Sequence, residues 1–164
     1  MKEHERTMRP SRGPRIFIAD DDPGIVDLLR TRLELAGYET AYARDGASAV
    51  EGIRHTQPAG VVLDLGMPRL DGFAVLRALR SQAATRATPV MVLTARHAPD
   101  DVRRAVSCGA QDYLSKPFDD AQLLRRIARL LRARTPVAPR ASIASAPASS
   151  APPAGEADGA DLWL

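Results

Sequence analysis

The chain is constrained most by a regular alternation, over residues 15–134, of short apolar runs with segments of helical periodicity. Five apolar runs predict strands, and three of them are apolar almost throughout, which is typical of strands buried on both faces of a parallel sheet. The runs are RIFIAD, YETAYA, AGVVLDL, TPVMVLTA and QDYLSK. Between and after them, apolar residues recur three or four positions apart, the spacing of one helix face. Five strands alternating with five helices predict a doubly wound α/β domain with a five-stranded parallel sheet and right-handed crossovers.

Composition divides the 164 residues into three parts. Residues 1–14 are basic and turn-prone and predict a disordered N-terminal extension, whereas residues 15–134 predict one folded domain. Residues 135–164 are rich in alanine, proline and serine without a strand or helix period, which predicts a disordered tail. The tail ends in DGADLWL, which holds the only tryptophan. That stretch is either a docking peptide or a chance ending, and we favour the latter.

Composition also excludes several kinds of protein. The single cysteine, Cys108, excludes an internal disulfide, and the sequence has no CxxC or Cys/His cluster for zinc. No apolar run is long enough to span a membrane, and the N-terminus lacks the apolar core of a signal peptide, so we expect a cytoplasmic protein without membrane contact. The net charge of +3 includes an arginine cluster in the last helical segment, which we interpret as a solvated face rather than a nucleic-acid contact.

Polar or charged side chains follow four of the five predicted strands. These side chains are Asp20 and Asp21 after the first strand, Asp64 after the third, Thr94 after the fourth and Lys116 after the fifth. Ala95 follows Thr94, and Pro117 follows Lys116. Taken singly, each has a simpler interpretation as a helix cap, a turn residue or a surface lysine. In open α/β sheets, however, ligands bind outside the carboxyl ends of the strands, so all of these residues are expected at one rim.

The flavodoxin-like strand order 2-1-3-4-5 would place the first and third strands side by side. Asp20 and Asp21 would then face Asp64, and three carboxylates so close raise one another's pKa unless a cation lies among them. An all-oxygen donor set of this kind suits Mg²⁺. The remaining polar groups, the hydroxyl of Thr94 and the ammonium of Lys116, are donors suited to phosphoryl oxygens.

Four motifs carry a resemblance to a known family: IADD, VVLDLGMPRLDG, VLTA and GAQDYLSKPF. In this order and spacing, with Thr94 and Lys116 lying 30 and 52 residues beyond Asp64, the sequence resembles the receiver domain of bacterial two-component response regulators. The resemblance covers about residues 15–134 and implies the receiver fold.

The resemblance also implies a role for each motif residue. Asp64 would be the phosphoacceptor, and Asp21, Asp64 and the backbone carbonyl of Gly66 would bind Mg²⁺, with Asp20 acting largely through a metal-bound water. The phosphoryl group would be contacted by Thr94, Ala95 and Lys116.

Two further positions are implied to matter for switching and for the shape of the site. Tyr113 lies at the family's switch-aromatic position and would turn inward as Thr94 moves toward the phosphoryl group. Pro117 matches a position with a cis peptide bond, which would direct Lys116 into the site.

Two positions depart from the family's pattern. Gly66 replaces a larger side chain and leaves the lifetime of the acyl phosphate open, and Gln111 replaces a frequent acidic residue, so dimerisation is not assured.

Asp22 and Pro23 have a structural interpretation. Asp-Pro is a strong helix start, because the aspartate accepts hydrogen bonds from free N–H groups and proline suits the first helical position. The three adjacent aspartates therefore divide into a metal site, Asp20 and Asp21, and a helix cap, Asp22.

The function expected from these features is that of a phosphorylatable receiver, not an enzyme in its own right. Its partners would be a sensor histidine kinase or a histidine phosphotransfer protein, and a downstream protein bound through the fourth helix, fifth strand and fifth helix or through the tail. A homodimer is left open, and no direct nucleic-acid binding is expected. The alternatives are the receiver part of a DNA-binding regulator whose output domain is absent from this chain, and a pseudo-receiver scaffold. A metal-dependent phosphatase is disfavoured because Gly66 stands where such enzymes need an acid/base aspartate.

Overall fold

A computed structural model of the chain describes residues 13–95 and 98–133. It contains a five-stranded parallel sheet of order β2-β1-β3-β4-β5. The strands are β1 (Arg15–Ala19), β2 (Glu39–Ala43), β3 (Gly60–Leu63), β4 (Val90–Thr94) and β5 (Asp112–Ser115), and the helices are α1 (Pro23–Leu35), α2 (Gly46–Thr56), α3 (Gly72–Ser81), α4 (Pro99–Ser107) and α5 (Asp120–Arg132). The predicted fold class and strand order are confirmed.

The predicted N-terminal extension and tail fall almost wholly outside the described residues. Only Gly13 and Pro14 of the extension are described, and the Pro14 carbonyl accepts a hydrogen bond from Glu39 N at 3.2 Å. Every observed strand lies inside its predicted run. β2 ends with its run, at Ala43, and the other four strands end one or two residues before their runs do. The early ends leave Asp20 and Asp64 in the loops beyond β1 and β3.

The sheet separates two apolar cores, and alternate residues of each strand enter opposite cores. In β1, Phe17 packs among residues of α2, α3 and α4, whereas Ile16 and Ile18 pack among residues of α1 and α5. Because β1, β3 and β4 are buried on both faces, both sets of side chains are apolar. This is why these three runs read as continuously apolar in the sequence.

Four of the five helices begin with an aspartate cap, at Asp22, Asp45, Asp71 and Asp119. The backbone N–H groups of the first helical turn have no acceptor within the helix. Each of these carboxylates accepts a hydrogen bond from at least one of them. α1 and α4 end before Gly37 and Gly109, whose φ angles of +89° and +99° favour glycine. Because each helix begins after the carboxyl end of a strand, the four aspartate caps lie at the rim that holds the polar residues.

A bilayer needs about 20 consecutive apolar residues in a helix to span it. None of the described helices reaches that length and apolarity.

Candidate metal and phosphoryl site

Three carboxylates meet at the carboxyl ends of β1 and β3. These strands are neighbours with Ala19 opposite Leu63, and Asp64 N extends the pairing by donating to Ala19 O at 2.8 Å. One oxygen each from Asp20, Asp21 and Asp64 lies within 4.8 Å of the others. Asp20 and Asp64 are buried and Asp21 is exposed, so the cluster opens to solvent on one side.

Lys116 enters this cluster from the end of β5. Its Nζ donates to Asp20 Oδ2 at 2.7 Å and lies 3.8 Å from Asp64 Oδ1. The other oxygen of each carboxylate accepts a hydrogen bond from a backbone amide. Asp22 N donates to Asp20 Oδ1 and Gly66 N donates to Asp64 Oδ2, each at 3.0 Å. Among the described residues, both oxygens of Asp20 therefore accept a hydrogen bond, whereas Asp64 Oδ1 accepts none and lies 3.8 Å from the Lys116 ammonium.

The cluster carries more negative charge than Lys116 can balance. Burial raises the pKa of Asp20 above its usual value, and the Asp64 charge adds to that rise, while the Lys116 ammonium and the Asp22 amide act against it. Three carboxylates and one ammonium leave a surplus of negative charge at a half-open site. A divalent cation would remove that surplus.

The donor set fits Mg²⁺ in particular. All the acidic ligand atoms are carboxylate oxygens, and no histidine or cysteine belongs to the cluster found among the described residues. Mg²⁺ prefers such hard oxygen ligands and keeps several waters, which the exposed side at Asp21 allows. Asp20, Asp21 and Asp64 could hold such an ion.

Thr94 and Ala95 lie beside the cluster at the end of β4, the strand next to β3. Thr94 is buried and is the last residue of its strand, and its carbonyl accepts a hydrogen bond from Lys116 N at 3.0 Å. Ala95 follows in the loop and is exposed. The structure thus brings the predicted hydroxyl and ammonium residues to the rim that holds the carboxylates.

Tyr113 lies one strand further out and packs partly against the core of α2, α3 and α4. Burial raises the pKa of its hydroxyl, and the charges of Asp101 and Asp64 raise it further. Tyr113 therefore lies close enough to the cluster for the Asp64 charge to act on its hydroxyl. The Lys116–Pro117 peptide bond is cis.

Asp22 and Pro23 stand apart from the cluster. Asp22 Oδ1 accepts hydrogen bonds from Gly24 N at 2.8 Å and Ile25 N at 3.4 Å, and Pro23 is the first residue of α1. The side chain of Asp22 therefore serves the helix, while its amide holds Asp20. One residue links the cap to the site through two different atoms.

Sequence reasoning missed an ion-pair network on the outer strand. Asp112, at the start of β5, is buried, and its two oxygens accept hydrogen bonds from Arg126 Nη1 at 2.6 Å and Arg129 Nη2 at 2.7 Å. The two arginine side chains stay 37% and 63% exposed, so they belong to the solvated face that the sequence predicted, and this face also pairs with a buried acid. Their spacing of three positions on α5, opposite an acid in an apolar run, was the available signal.

Sequence reasoning also missed Arg80, at the end of α3. Its guanidinium donates to the carbonyls of Thr85, Arg86, Thr88 and Gly109 and to Gln111 Oε1. Gln111 Oε1 accepts a second bond from Val90 N at 2.7 Å. Position 111, singled out in the sequence for a possible dimer contact, makes hydrogen bonds within the chain. Nothing in the sequence distinguishes Arg80 from its neighbour Arg77.

Known proteins of this kind are similar in sequence and in structure. Residues 16–128 match the family described as the response regulator receiver domain. The DNA-binding dual master transcriptional regulator RpaA of Synechocystis sp. is 43% identical over 129 residues, which cover 79% of this chain and 53% of that protein. The transcriptional regulatory protein PrrA of Mycobacterium tuberculosis is 44% identical over 121 residues, covering 74% of this chain and 51% of that protein.

Solved structures agree with the sequence matches. The signal receiver domain of a signal transduction histidine kinase from Syntrophus aciditrophicus is 37% identical, with a TM-score of 0.69 and coverage of 80% of this chain and 97% of that one. The receiver domain of a sensor histidine kinase from Pseudomonas aeruginosa, described with a magnesium ion coordinated in its active site cleft, is 30% identical with the same TM-score, covering 73% of this chain and 98% of that one.

The chain spans about half the length of the curated relatives it matches. One of those relatives is described as DNA-binding. The expectation that no nucleic acid is bound therefore finds no support in the comparisons.

Proposed function

This chain belongs to the response regulator receiver domain family, and from that premise we propose that Asp64 accepts a phosphoryl group in a Mg²⁺-dependent reaction. The donor is a phosphohistidine on a sensor histidine kinase or on a histidine phosphotransfer protein. The proposed setting is the cytoplasm.

The observation that carries the proposal is the unequal engagement of the two buried carboxylates. Asp20 is held at both oxygens, by the Lys116 ammonium at 2.7 Å and by the Asp22 amide at 3.0 Å. Among the residues that the structure describes, Asp64 accepts a hydrogen bond at Oδ2 alone, from the Gly66 amide, and its Oδ1 lies 3.8 Å from Lys116 Nζ. A nucleophile needs a free lone pair, so Asp64 Oδ1 is the oxygen suited to attack phosphorus.

In the proposed step, a carboxylate oxygen of Asp64 forms a bond to phosphorus as the phosphorus–nitrogen bond of the phosphohistidine breaks. The electron pair of that bond leaves with the imidazole, and the product is an acyl phosphate. No general base is needed, because a carboxylate nucleophile has no proton to lose in the attack. Positioning and charge neutralisation account for most of the catalysis of such transfers.

Asp20, Asp21, Asp64 and the Gly66 carbonyl would hold Mg²⁺, which supplies positive charge to the phosphoryl oxygens. The magnesium ion described in the Pseudomonas receiver supports this assignment. Lys116 would form an ion pair with the phosphoryl group, for which its ammonium must turn from Asp20 toward Asp64. Thr94 and the backbone at Ala95 would donate the remaining hydrogen bonds.

Phosphorylation would switch the surface formed by α4, β5 and α5. Tyr113, which lies on β5 and packs partly against the core of α2, α3 and α4, would turn inward as Thr94 moves toward the phosphoryl group. A local change of charge would thus bias a surface with two arrangements, and a downstream protein would read it. The chain would turn over no exogenous phosphate ester, because Gly66 offers no acid or base beside Asp64.

The test is phosphorylation of the full chain by acetyl phosphate, measured by intact mass. We expect the mass of one phosphoryl group to be added in Mg²⁺ but not in EDTA, and not to the Asp64→Asn variant. Asp27→Asn, which removes an exposed aspartate of α1, is the matched control and should be modified like the wild type. Failure of the wild type to take up acetyl phosphate, together with failure to bind the mimic beryllofluoride, would contradict the proposal.

A second candidate is that this receiver is part of a longer DNA-binding transcriptional regulator. The observation that favours it is the match to about half of RpaA and PrrA, both described as transcriptional regulators. Detection of the native protein in its source organism, by an antibody against the receiver, separates the two. A species of about 17.7 kDa supports the single receiver, and one of roughly twice that mass supports the longer regulator.

A further inference from the structure

A cleft of about 870 Å³ runs along the outer strand of the sheet, away from the carboxylate cluster. One wall is β5 and the loop after it, including Tyr113, Leu114 and Pro117, and the other is one face of α5. β5 pairs only with β4 among the described strands, so it is an edge strand. An edge strand beside a groove is a common docking place for an extended peptide.

The cleft is strongly basic. Four arginines of α5 line it, namely Arg125, Arg126, Arg129 and Arg132. Arg126 and Arg129 share the single charge of Asp112, whereas Arg125 and Arg132 are exposed and make no ion pair with any described residue. The lining arginines therefore exceed Asp112 by three positive charges, and apolar surface lies between them at Leu114, Pro117 and Ala128.

The chain itself contains a segment of complementary chemistry. Residues 155–164 read GEADGADLWL, with three carboxylates at Glu156, Asp158 and Asp161 and an apolar stretch of Leu162, Trp163 and Leu164. Three negative charges match the surplus of the cleft, and the leucine and tryptophan side chains match its apolar floor. Arginine beside an indole ring adds a cation–π attraction.

The connection between cleft and segment is long enough. α5 has 13 residues, so its axis is about 20 Å long. Residues 134–154 separate the end of the described chain from the segment, and a connection of that length with coil-like statistics spans about 25 Å. The segment can therefore return along α5 to β5, at an effective concentration of about 1 mM.

We propose that residues 155–164 dock intramolecularly in the cleft between β5 and α5. The carboxylates contact Arg125 and Arg132, and Trp163 covers the apolar floor beside Tyr113. The docked segment covers part of the surface that the proposed phosphorylation would switch. The docking itself requires neither Mg²⁺ nor phosphoryl transfer, so its test is independent of the proposed phosphorylation of Asp64.

The test uses the fluorescence of Trp163, the only tryptophan of the chain, in the full-length protein in EDTA without a phosphodonor. A synthetic peptide of residues 155–164 is the reference. If the segment's own affinity is near the effective concentration, about half of the molecules are docked, and acrylamide quenching falls about twofold below that of the peptide. The emission maximum should also shift to shorter wavelength.

Two sets of substitutions should return the quenching to that of the peptide. Arg125→Glu with Arg132→Glu reverses two cleft charges that make no described ion pair, and Glu156→Gln with Asp158→Asn and Asp161→Asn removes the charges of the segment. The matched control, Arg77→Glu with Arg86→Glu, reverses two exposed arginines, one within α3 and one in the loop after it, and should leave quenching as in the wild type.

Three results would overturn the proposal. They are wild-type quenching equal to that of the peptide, protection that survives both sets of substitutions, and protection that disappears on dilution. The last would show that the segment docks on a second copy of the chain.

Discussion

At the scale of single residues, the site is organised by one lysine shared unequally between two buried carboxylates. Lys116 lies 2.7 Å from Asp20 and 3.8 Å from Asp64. The unequal distances separate a carboxylate that is held in place from one that is free to react. A second aspartate at the end of β1, Asp21, completes the cluster from the solvent side.

The repulsion within this cluster predicts that Asp64→Asn stabilises the Mg²⁺-free protein. The substitution removes a negative charge that raises the pKa of Asp20, while the amide can still accept the hydrogen bond from Gly66 N. With screening by Lys116 and solvent, we expect the free energy of unfolding to rise by about 1 kcal/mol. Urea unfolding in EDTA measures it, with Asp27→Asn as control. A less stable Asp64→Asn variant would show that the carboxylates do not strain the fold.

At the scale of elements, the three consecutive aspartates after β1 belong to two structures. Asp20 and Asp21 belong to the cluster, and the Asp22 carboxylate caps α1. The two roles can be separated because Asp22 reaches the cluster only through its backbone amide. A substitution of its side chain leaves that amide in place.

We therefore predict opposite effects for two adjacent substitutions. Asp22→Ala should lower the free energy of unfolding by about 1 kcal/mol, the usual cost of losing a helix cap, and leave Mg²⁺ affinity unchanged. Asp21→Asn should lower Mg²⁺ affinity by at least about tenfold, as loss of about 1.4 kcal/mol of binding implies, with little change in stability. Calorimetric Mg²⁺ titration and urea unfolding measure the pair. Equal loss of Mg²⁺ affinity in both variants would contradict the division.

Arg80 connects three elements without touching the site. Its guanidinium joins the end of α3 to the loop before β4 and to the turn between α4 and β5, and it meets carbonyls rather than a carboxylate. Partial burial lowers its pKa, which still lies far above neutral pH. The planar fork is what allows one side chain to serve acceptors in separate loops.

We predict that Arg80→Lys lowers the free energy of unfolding by about 2 kcal/mol, because a lysine ammonium cannot reach carbonyls on both loops and leaves some of them without a donor. Arg77→Lys, on the exposed side of the same helix, is the matched control and should change stability by less than about 0.5 kcal/mol. Urea unfolding of both variants decides it. Equal effects would mean that Arg80 acts only through its charge.

At the scale of the whole molecule, parallel strands collect residues that are far apart in sequence. Four residues, Asp20, Asp64, Thr94 and Lys116, lie at or just beyond the carboxyl ends of four different strands. They meet at the same rim because all five strands run in one direction. The two apolar cores lie on either side of the sheet and hold the helices against it. The basic cleft at β5 lies on the outer edge of the same sheet.

The sequence by itself determined the fold class and the identity of the clustered residues, and the resemblance to receiver domains implied the strand order. These features depend on local patterns, which involve residues close together in the sequence. The patterns are the apolar runs, the helical periodicity between them and the polar residues at the strand ends. The observed strands fell within the predicted runs for the same reason.

Only the tertiary structure decided which partner each charge takes. Lys116 lies closer to Asp20 than to Asp64, Asp112 is buried under Arg126 and Arg129, and Arg80 rather than Arg77 holds the loops. These choices depend on distances of a few tenths of an ångström to several ångströms between segments that are remote in sequence, and on how deeply each group is buried. Periodicity and composition give neither these distances nor the burial of each group, so they do not distinguish a solvated arginine from a buried one.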